Sequence, residues 1–580
     1  MIASVIPAIR TPRHIEVFDY VIPEGRTVKS GDIIQIPFRK GKLIGMISRI
    51  QKTSELPIKS LKPIGESFYG LSLNTKTQAL LQALAHRSFS SPPTILHAWL
   101  GSLPKKNPDT DPIRNTNDQT IEMNDAIYAS NSIDALIKQV IKDSKKHRIL
   151  IISPWTSRAK EIANRLNTDA LTSDLAMGKR FESWRRFMQG ETPTLVTTRI
   201  GAWLATEADI VLIDEPENDD HKQDELSPRY DARWIAAYAN QAGIGLKRFG
   251  TTPSVNTIAS DPSILKNIPE IHPNLQTIDF HRADWSQIAG LQERTWIQIE
   301  EAKEQSKPIF IIHPIHGDQS KYQCADCGYT ETCNACGAIP MLKNGELICK
   351  RCHQKKAVFN ECPKCHGTTL QFAKPGRDRL KEELAKNGYQ DIQVLSLGEW
   401  MQFHELPKDA LIILTDISLL GGGVEDLRKK ERLIIAWRRL CAFIENANAE
   451  LITQGRPEIL TEAKTWLSMD GCANALQKEL EDRIAFHLPP ATRLVKLIFK
   501  GSENHANRQL ERLRHDLRSQ DGIRIQGPFP VLYRPSHRIP RWIGHIYIEK
   551  NRSNEAIINA LIPIYQTDTI IDLDPIAFFE

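Results

Sequence analysis

The sequence predicts a multidomain α/β protein that carries a metal-binding insert. With 580 residues, the chain is too long for a single hydrophobic core, and about three to five domains are expected. Short apolar runs alternate with helical periodicity through its middle part, a pattern typical of parallel sheets covered by helices. Eight of its ten cysteines fall within residues 324–365. These three observations set the fold class.

Composition and the N-terminus exclude two classes of protein. No apolar run approaches the length that crosses a bilayer, and residues 1–7 have neither the basic region nor the long apolar run of a signal peptide. Apolar residues make up 41% and charged residues 25%, as in an ordinary soluble protein. The net charge of +5 is spread through the chain and gives only weak support for a nucleic-acid partner. We therefore predict a cytoplasmic protein without a membrane partner.

The first two segments are a β domain and a small helical unit. Residues 1–68 alternate apolar and polar positions between turn signals, which predicts a small β domain. Residues 69–118 combine helical periodicity, between Leu80 and Leu100, with a polar, proline-containing linker. That combination suits a winged-helix-like unit.

The remaining segments predict two similar α/β lobes and a smaller domain. Residues 119–280 and residues 281–470 both alternate strands with helices, and the second lobe contains the cysteine-rich insert at 322–370. Residues 471–580 suit a smaller α+β domain. The apolar runs that predict buried parallel strands are residues 148–154, 194–198, 209–215, 308–312 and 410–415.

The eight clustered cysteines form four C-x-x-C pairs. The pairs are Cys324/Cys327, Cys333/Cys336, Cys349/Cys352 and Cys362/Cys365. A C-x-x-C turn directs two thiolates at one point, and two such turns complete a tetrahedral all-sulfur zinc site. Four pairs therefore predict two structural zinc ions with no open position for chemistry. The alternative, a disulfide network, needs an oxidising compartment that nothing in the sequence indicates.

Spacing favours a nested arrangement of the two zinc sites. Residues 337–348 separate the inner pairs by the length of a common zinc ribbon, so Cys333, Cys336, Cys349 and Cys352 form one predicted site. The outer pairs, Cys324, Cys327, Cys362 and Cys365, then form the other. Sequential pairing stays open, although it leaves only residues 328–332 between the two pairs of one site. We expect Cys441 and Cys472 to be ordinary buried thiols.

Two acids end one of the predicted strands. Asp214 and Glu215 lie where a nucleoside triphosphatase holds Mg²⁺ and orients the attacking water, although an acidic loop start at a sheet edge is an alternative. Such acids need a phosphate loop with a Gly-Lys-Ser/Thr end. Gly-Lys occurs only at Gly41-Lys42 and Gly178-Lys179, and neither dipeptide is followed by a hydroxyl residue. Because residues 126–133 contain neither glycine nor lysine, we expect no ATP or Mg²⁺ cofactor.

Four separated stretches resemble the PriA family, the bacterial primosomal replication-restart helicases. Their order and spacing run through nearly the whole chain. The matching stretches are residues 18–25 with 29–31 and 37–38; residues 214–217 with 221–223, 229–233 and 251–254; the eight-cysteine module; and residues 488–490, 527–530 and 572–575.

The resemblance implies that the N-terminal domain binds the 3′ end of a nascent DNA strand. The family's pocket positions match Phe18, Asp19 and Lys62. An aromatic face can stack the terminal base, a carboxylate can accept from the 3′-hydroxyl, and a cation can meet a phosphate. The family's glycine in the following turn is Arg39 here, which would crowd or recharge that pocket. In the alternative interpretation Phe18 belongs to the domain core and Asp19 to a turn.

The resemblance also implies two RecA-like lobes, both degenerate. The phosphate loop is absent, the family's D-E-E-H is residues 214–217 here, and its late arginine motif has no counterpart. Residues 420–424 lack the lysine of the family's coupling motif. A loop lysine and an arginine finger each contribute orders of magnitude to phosphoryl transfer. We therefore predict no catalytic residues, with Asp214 and Glu215 as remnants of a magnesium site.

The predicted function is DNA-binding replication restart without unwinding. The resemblance implies recognition of abandoned or branched forks, assembly of the primosome and reloading of the replicative helicase. Its implied partners are forked DNA, primosome and helicase-loading proteins, and single-stranded DNA-binding protein. Two alternatives stay open: an active ATP-dependent 3′-to-5′ helicase with a non-standard phosphate loop, and a zinc scaffold that binds only proteins.

Overall fold

The structure of the chain is a computed structural model of a multidomain α/β protein with six separate sheets in its described part. It describes residues 1–12, 15–101, 120–280, 288, 290–314, 322–324, 327, 329, 331–334, 340–343, 346–349, 354–372, 376–403, 406–421, 427–531, 539–549, 557, 560–561 and 569–578. Among these residues, no helix has the length and apolar character required to cross a membrane.

The first sheet is antiparallel and built from the N-terminal segment. Its strands are β1 (Ile2–Pro7), β2 (Phe18–Val21), β3 (Asp32–Phe38), β4 (Gly41–Gln51) and β5 (Ser67–Ser72), in the order β2-β1-β4-β3-β5. Alternate apolar residues such as Val5, Ile34 and Ile36 form its core, as the sequence pattern predicted. The predicted boundary at residue 68 falls inside β5, which pairs with β3 and therefore belongs to this sheet.

Two helices connect this sheet to the next region. They are α1 (Thr75–Arg87) and α2 (Pro92–Leu100), and side chains of Asn74 and Ser91 cap their first turns. The leucines that gave these helices their periodicity, including Leu80 and Leu96, share one apolar core with Ile33 of the N-terminal sheet and with Leu150 of the following sheet. The helices therefore join two regions rather than standing apart.

The second sheet is wholly parallel. Its elements, with the helices between them, are β6 (Asn124–Tyr128), α3 (Ser132–Asp143), β7 (Ile149–Ile152), α4 (Thr156–Leu166), β8 (Asp169–Leu171), α5 (Met177–Met188), β9 (Thr194–Thr197), β10 (Ile210–Asp214), α6 (Ala232–Gln241), β11 (Gly245–Gly250) and α7 (Val255–Ser260). The strand order is β6-β11-β10-β7-β9-β8. The apolar runs predicted as buried strands in this lobe are confirmed.

The third sheet is also parallel and is interrupted by the cysteine-rich insert. Before the insert, its elements are β12 (Asn274–Asp279), α8 (Glu293–Glu304) and β13 (Ile309–Ile312). The insert contains the short strands β14 (Tyr322–Cys324), β15 (Met341–Lys343), β16 (Glu346–Ile348), β17 (Lys355–Ala357) and β18 (Leu370–Phe372). After the insert, the lobe continues with α9 (Arg377–Lys386), β19 (Gln393–Leu395), α10 (Leu397–Met401), β20 (Leu411–Leu414), α11 (Lys429–Ala447), β21 (Glu450–Gly455), α12 (Pro457–Thr465) and α13 (Met469–Ala485). The strand order is β12-β21-β20-β13-β19. Both strands predicted for this lobe are confirmed.

The C-terminal sheet is antiparallel. It comprises β22 (Thr492–Lys500), α14 (Glu503–Asp516), β23 (Ile523–Pro530), β24 (Arg541–Glu549) and β25 (Ile570–Leu573), in the order β23-β24-β22-β25. The predicted boundary at residue 470 precedes most of α13. However, Cys472 and Leu476 of that helix are buried in the core of the third sheet, so α13 lies with the second parallel lobe.

The two parallel sheets meet through α11. Glu431 of this helix accepts a hydrogen bond from the backbone N–H of Val255 at 2.8 Å, and Arg438 donates to Thr252 at 3.0 Å. Both partners follow the last strand of the first parallel sheet. The helix therefore bounds a cleft into which the carboxyl end of β10 points.

Candidate nucleic-acid and metal sites

Asp19 on β2 carries a carboxylate held by three neutral donors. Ser4 donates to its Oδ1 at 2.7 Å, and Ser54 and Gln51 donate to its Oδ2 at 2.6 and 3.3 Å. A carboxylate offers about four lone-pair sites. The hydrogen bonds that the structure describes therefore leave one site, on Oδ1, and the half-buried side chain can present it to a ligand hydroxyl.

Phe18 and Lys62 flank this carboxylate in different ways. Successive side chains of a strand point to opposite faces, so the half-buried Phe18 lies on the core side of β2, its ring centroid 5.6 Å from that of Phe38. Lys62 is exposed, and its carbonyl accepts from the backbone N–H of Val21 at 3.0 Å. All three predicted residues therefore lie at the β2 edge of the sheet, with Phe18 and Asp19 on opposite faces of the strand.

Two arginines stand near these residues. Arg49 on β4 is exposed and donates to Ser4 at 3.4 Å, and Ser4 is paired across the sheet with both Asp19 and Arg49. Arg39 occupies a left-handed turn at φ 53°, with its guanidinium 5.8 Å from the ring centre of Phe38. Sequence reasoning identified Arg39 but missed Ser4 and Arg49. The alternation of β1 and β4 carried a signal, but placing these two side chains beside Asp19 required the strand register.

In the cleft between the parallel sheets, the two acids of β10 face an arginine of their own lobe. Asp214 is fully buried and receives two hydrogen bonds from Arg158, Nε to Oδ2 and Nη2 to Oδ1, both at 3.1 Å. Arg158 also lies 3.5 Å from Glu215. Burial lowers the pKa of Arg158, but the two carboxylates outweigh burial and hold that pKa above its usual range. Bidentate pairs of this kind are the strong, directional class of ion pair.

A second arginine reaches the same acids from the other lobe. Arg439 on α11 lies 2.9 Å from Oε2 of Glu215, and its guanidinium is 4.1 Å from the ring centre of Trp155. Glu217 is buried as well. Burial, together with the charge of Glu215, raises the pKa of Glu217 well above its usual range. Guanidinium groups therefore occupy the surroundings of the acids that the sequence marked as remnants of a magnesium site.

The loop where a phosphate cradle belongs is occupied by a helix cap and lines the cleft between the lobes. Between β6 and α3, Asn131 accepts from the backbone N–H of Asp134 at 3.1 Å and donates to its carboxylate at 2.8 Å. Neither Gly-Lys dipeptide lies in a strand-to-helix loop, since Gly41 begins β4 and Gly178 lies within α5. Of the motif at 420–424, residues 422–424 lie outside the described part of the chain.

Four thiols of the insert converge on one point. The sulfur atoms of Cys324, Cys327, Cys362 and Cys365 all lie within 4.8 Å of one another. The distances are 3.6 Å from Cys324 to Cys365 and 3.7 Å from Cys327 to Cys362. Zinc–sulfur bonds of about 2.3 Å in a tetrahedron place the sulfurs about 3.8 Å apart, whereas a disulfide bond measures about 2.05 Å. The group therefore fits a metal ion held by four sulfurs, and its pairing is the nested one.

The second predicted thiol set is only partly within the described residues. Cys333 and Cys349 are buried, and both lie near Gln354: the Cys349 N–H donates to its carbonyl at 2.9 Å, and the Cys333 sulfur is 3.8 Å from its side-chain oxygen. Cys336 and Cys352 lie outside the described residues, so this set stays a prediction. Cys441 and Cys472 are buried thiols as predicted, and burial raises the pKa of Cys472 to about 11.

Comparison with known proteins gives a family match at the N-terminus and relatives along the chain. Residues 8–101 match the PriA 3′ DNA-binding domain, a range that includes Asp19 and both helices α1 and α2. The replication restart protein PriA of Rickettsia felis is 21% identical over 641 aligned residues, which cover 97% of this chain and 98% of that protein. PriA of Rickettsia conorii is 23% identical over 415 residues, 63% of this chain and 62% of that protein.

A solved structure of RecG bound to a three-way DNA junction shares 8% identity and covers 72% of this chain and 50% of its own. Its TM-score of 0.31 is too low to establish a common fold. The domain match and the near full-length alignment, by contrast, agree with each other and with the four motif stretches: this chain is similar to PriA replication restart proteins along nearly its whole length, and residues 8–101 match their 3′ DNA-binding domain.

Proposed function

We propose that this chain is a DNA-binding replication-restart factor that recognises abandoned or branched forks and promotes reloading of the replicative helicase without hydrolysing ATP. The observation that carries the DNA-binding part is the Asp19 carboxylate, which lies inside the matched 3′ DNA-binding domain with one oxygen lone pair open. A terminal 3′-hydroxyl would donate to Oδ1 of Asp19. Lys62 and Arg49 would meet the neighbouring phosphates, since Lys62 is an exposed cation beside β2 and Arg49 is an exposed cation on β4, across Ser4 from Asp19.

Three features support the absence of ATP hydrolysis. The acids Asp214 and Glu215 are paired with Arg158 and Arg439, so a magnesium ion would have to displace two guanidinium groups. The loop before α3 is capped by Asn131 and has no lysine. Without a backbone cradle and its lysine, little remains to stabilise the charge that develops on a transferred phosphoryl group. The lobes then serve as a platform that holds the DNA-binding surfaces in place.

The protein partners follow from the same proposal. Reloading a replicative helicase requires contacts with primosome and helicase-loading proteins, and forks carry single-stranded DNA-binding protein. We infer that these proteins bind the zinc module, which is inserted in the second parallel lobe, and the C-terminal domain, which follows that lobe in the chain.

The experiment that tests the proposal compares forks that differ only at the nascent 3′ end. Binding is measured in a gel-shift series on forks ending in a 3′-hydroxyl, in a 3′-phosphate, or without a nascent strand, and ATP hydrolysis is measured on the same forks. We expect tighter binding to the 3′-hydroxyl fork and no DNA-stimulated hydrolysis. The double variant Asp214→Asn/Glu215→Gln should bind forks as the unmodified chain does. Hydrolysis that disappears in Glu215→Gln would instead show an active helicase.

We further propose two structural zinc ions. Cys324, Cys327, Cys362 and Cys365 would hold one, and Cys333, Cys336, Cys349 and Cys352 the other. Bound zinc supplies a rigid cross-link between distant parts of the insert and no reactive position. Elemental analysis should give two zinc ions per chain, and Cys324→Ser should lower that count to about one. A count of one in the unmodified chain would contradict the second site.

A further inference from the structure

A groove with a cavity of about 880 Å³ lies where α1, the first parallel sheet, α13 and the C-terminal sheet meet. Its charged lining among the described residues consists of six arginines and three aspartates, with no lysine or glutamate. Arginine is the cation that matches phosphate with a planar fork of donors. This groove shares neither Asp19 nor Lys62 with the 3′-end site.

Three of these arginines carry charge that the protein itself compensates only in part. Arg248 on β11 donates to the neutral side chain of Asn124 at 2.7 Å, and the charge interaction resolved for it is with Tyr128 rather than with a carboxylate. Arg87, at the end of α1, and Arg493, on β22, share the single carboxylate of Asp574, with Arg493 3.8 Å away from it. Because Asp261 also lines the groove, the positive charge of these three arginines exceeds the nearby negative charge of Asp574 and Asp261 by about one.

The three guanidinium groups come from separate parts of the fold and at least one is held in place. The guanidinium of Arg87 stacks 4.9 Å from the ring centre of Trp234, whose ring packs against Tyr238 at 5.3 Å. The remaining arginines of the groove are paired with carboxylates. Arg233, for example, donates two hydrogen bonds to the carboxylate of Asp231, at 2.7 and 2.9 Å. Positioned cations along one groove lose little conformational entropy when an anion binds.

We propose that this groove binds the sugar-phosphate backbone of a single DNA strand, with Arg248, Arg87 and Arg493 as its phosphate contacts. The inference rests on the proposed function only in taking DNA as the polyanion. The volume of the groove is within the range of sites that enclose a ligand the size of a few nucleotides. Backbone contacts of this kind are independent of base sequence and depend strongly on salt. The strand would then pass between the lobes and the C-terminal domain, away from the ion-paired cleft at Asp214.

The test uses a thymidine oligonucleotide that ends in a 3′-phosphate, so that the 3′-end site takes no part. Its affinity for the full chain is measured by fluorescence anisotropy over a series of salt concentrations, with Arg248→Gln and Arg493→Gln as separate variants. The matched control is Arg379→Gln, because Arg379 is a surface arginine paired with Glu383 at 2.8 Å on α9, outside the groove. Each groove variant should weaken binding about tenfold and reduce the logarithmic salt slope by about 0.7.

The outcomes separate this proposal from the 3′-end function. Asp19→Ala should bind the oligonucleotide with the 3′-phosphate as the unmodified chain does. If Asp19→Ala has no effect on binding to 3′-hydroxyl forks, the 3′-end proposal fails and the groove proposal still stands. The groove proposal is overturned when both groove variants match Arg379→Gln in affinity and salt slope. It is also overturned when Arg248→Gln weakens the binding of a poly-glutamate peptide but leaves the affinity for the oligonucleotide unchanged. That result would assign the groove to an acidic peptide.

Discussion

The carboxylates of the N-terminal sheet and of the interlobe cleft have the same chemistry and opposite fates. Asp19 is held by two hydroxyls and an amide, none of which carries charge, so its negative charge and one lone pair stay available. Asp214 and Glu215 are held by the guanidinium groups of Arg158 and Arg439. Neutral donors orient a carboxylate without cancelling its charge, whereas an internal cation takes the place of any cationic ligand. The partners, rather than the acid, decide which site stays open.

The same contrast bears on the proposal that this chain does not hydrolyse ATP. A nucleotide and its metal ordinarily bridge two such lobes, and here an ion pair between Glu215 and α11 makes that bridge from protein atoms alone. Asp219 adds two more pairs at the start of α11, at 2.8 Å to Arg428, which precedes the helix, and at 3.1 Å to Arg432 within it. These pairs hold the two lobes together without a nucleotide.

The largest expected effect comes from removing the internal cation of the cleft. Arg158→Ala leaves the fully buried Asp214 without its bidentate partner, and breaking a buried pair from one side costs about 3–5 kcal/mol of the free energy of unfolding. Urea unfolding monitored by tryptophan fluorescence measures that loss. Fork binding at low temperature should be unchanged, because Arg158 contacts no part of the N-terminal sheet.

The control for this prediction removes both charges together. The double variant Arg158→Met/Asp214→Asn leaves no charge from this pair uncompensated, so most of the lost stability should return. An unchanged unfolding curve for Arg158→Ala would mean that solvent reaches Asp214. The claim that Asp214 is buried and depends on Arg158 would then be wrong.

A third carboxylate sharpens the comparison, because it combines neutral donors with complete burial. Glu207 accepts from Thr77, and from Asn74 at 3.2 Å, and so joins α1 to the first parallel lobe. Burial raises the pKa of Glu207 to about 7, opposed by the Thr77 hydrogen bond and by the charges of Arg148 and Lys76. With full burial, neutral donors no longer keep an acid ionised at neutral pH.

The pH dependence has a definite sign. The folded-state pKa of Glu207 lies above its unfolded value, so this group makes the protein less stable as pH rises from about 4.5 to about 7. Glu207→Gln removes that loss and should raise the free energy of unfolding at pH 8 by up to about 3 kcal/mol, with no gain at pH 4. Unfolding curves at the two pH values provide the measurement. If Glu207→Gln changes the free energy of unfolding equally at pH 4 and pH 8, the effect comes from packing and not from the ionisation of Glu207.

The sequence predicted features that depend on neighbouring residues and missed features that depend on contacts between distant parts of the chain. The strands at Ile149–Ile152 and Ile210–Asp214 needed only their own apolar runs, and the thiol group needed only C-x-x-C spacing. Arg158 and Arg439 carried no such signal. Each looks like a charged residue on a solvated helix face, and their meeting at Glu215 joins helices far apart in the chain.

Domain limits failed for a related reason. Residues 67–72 form a strand of the first sheet rather than the start of a helical unit, because β5 finds its partner in β3. The buried face of α13 packs on the third sheet, although the helix follows the apparent end of that lobe. Composition changes along a chain mark where segments differ, but tertiary packing decides to which core they belong.

The next effect in size concerns the open carboxylate itself. Asp19→Ala removes the acceptor proposed for the 3′-hydroxyl, and a charge-assisted contact of this kind contributes about 1–3 kcal/mol. Binding to forks with a 3′-hydroxyl should weaken by that amount in gel-shift assays, while binding to forks without a nascent strand stays the same. Equal weakening of both substrates would make Asp19 a structural residue that positions Ser4 and Ser54.

The smallest expected effect tests whether the neutral donors orient that carboxylate. Ser54→Ala removes the 2.6 Å hydrogen bond to Oδ2 of Asp19 and leaves the donor on Oδ1 in place. Losing one such hydrogen bond costs about 1 kcal/mol. Because the charge of Asp19 persists, affinity for the 3′-hydroxyl fork should fall less than in Asp19→Ala, and in the double variant the serine change should add nothing. Additive losses would show instead that Ser54 contacts the DNA directly and that the open site extends beyond Asp19.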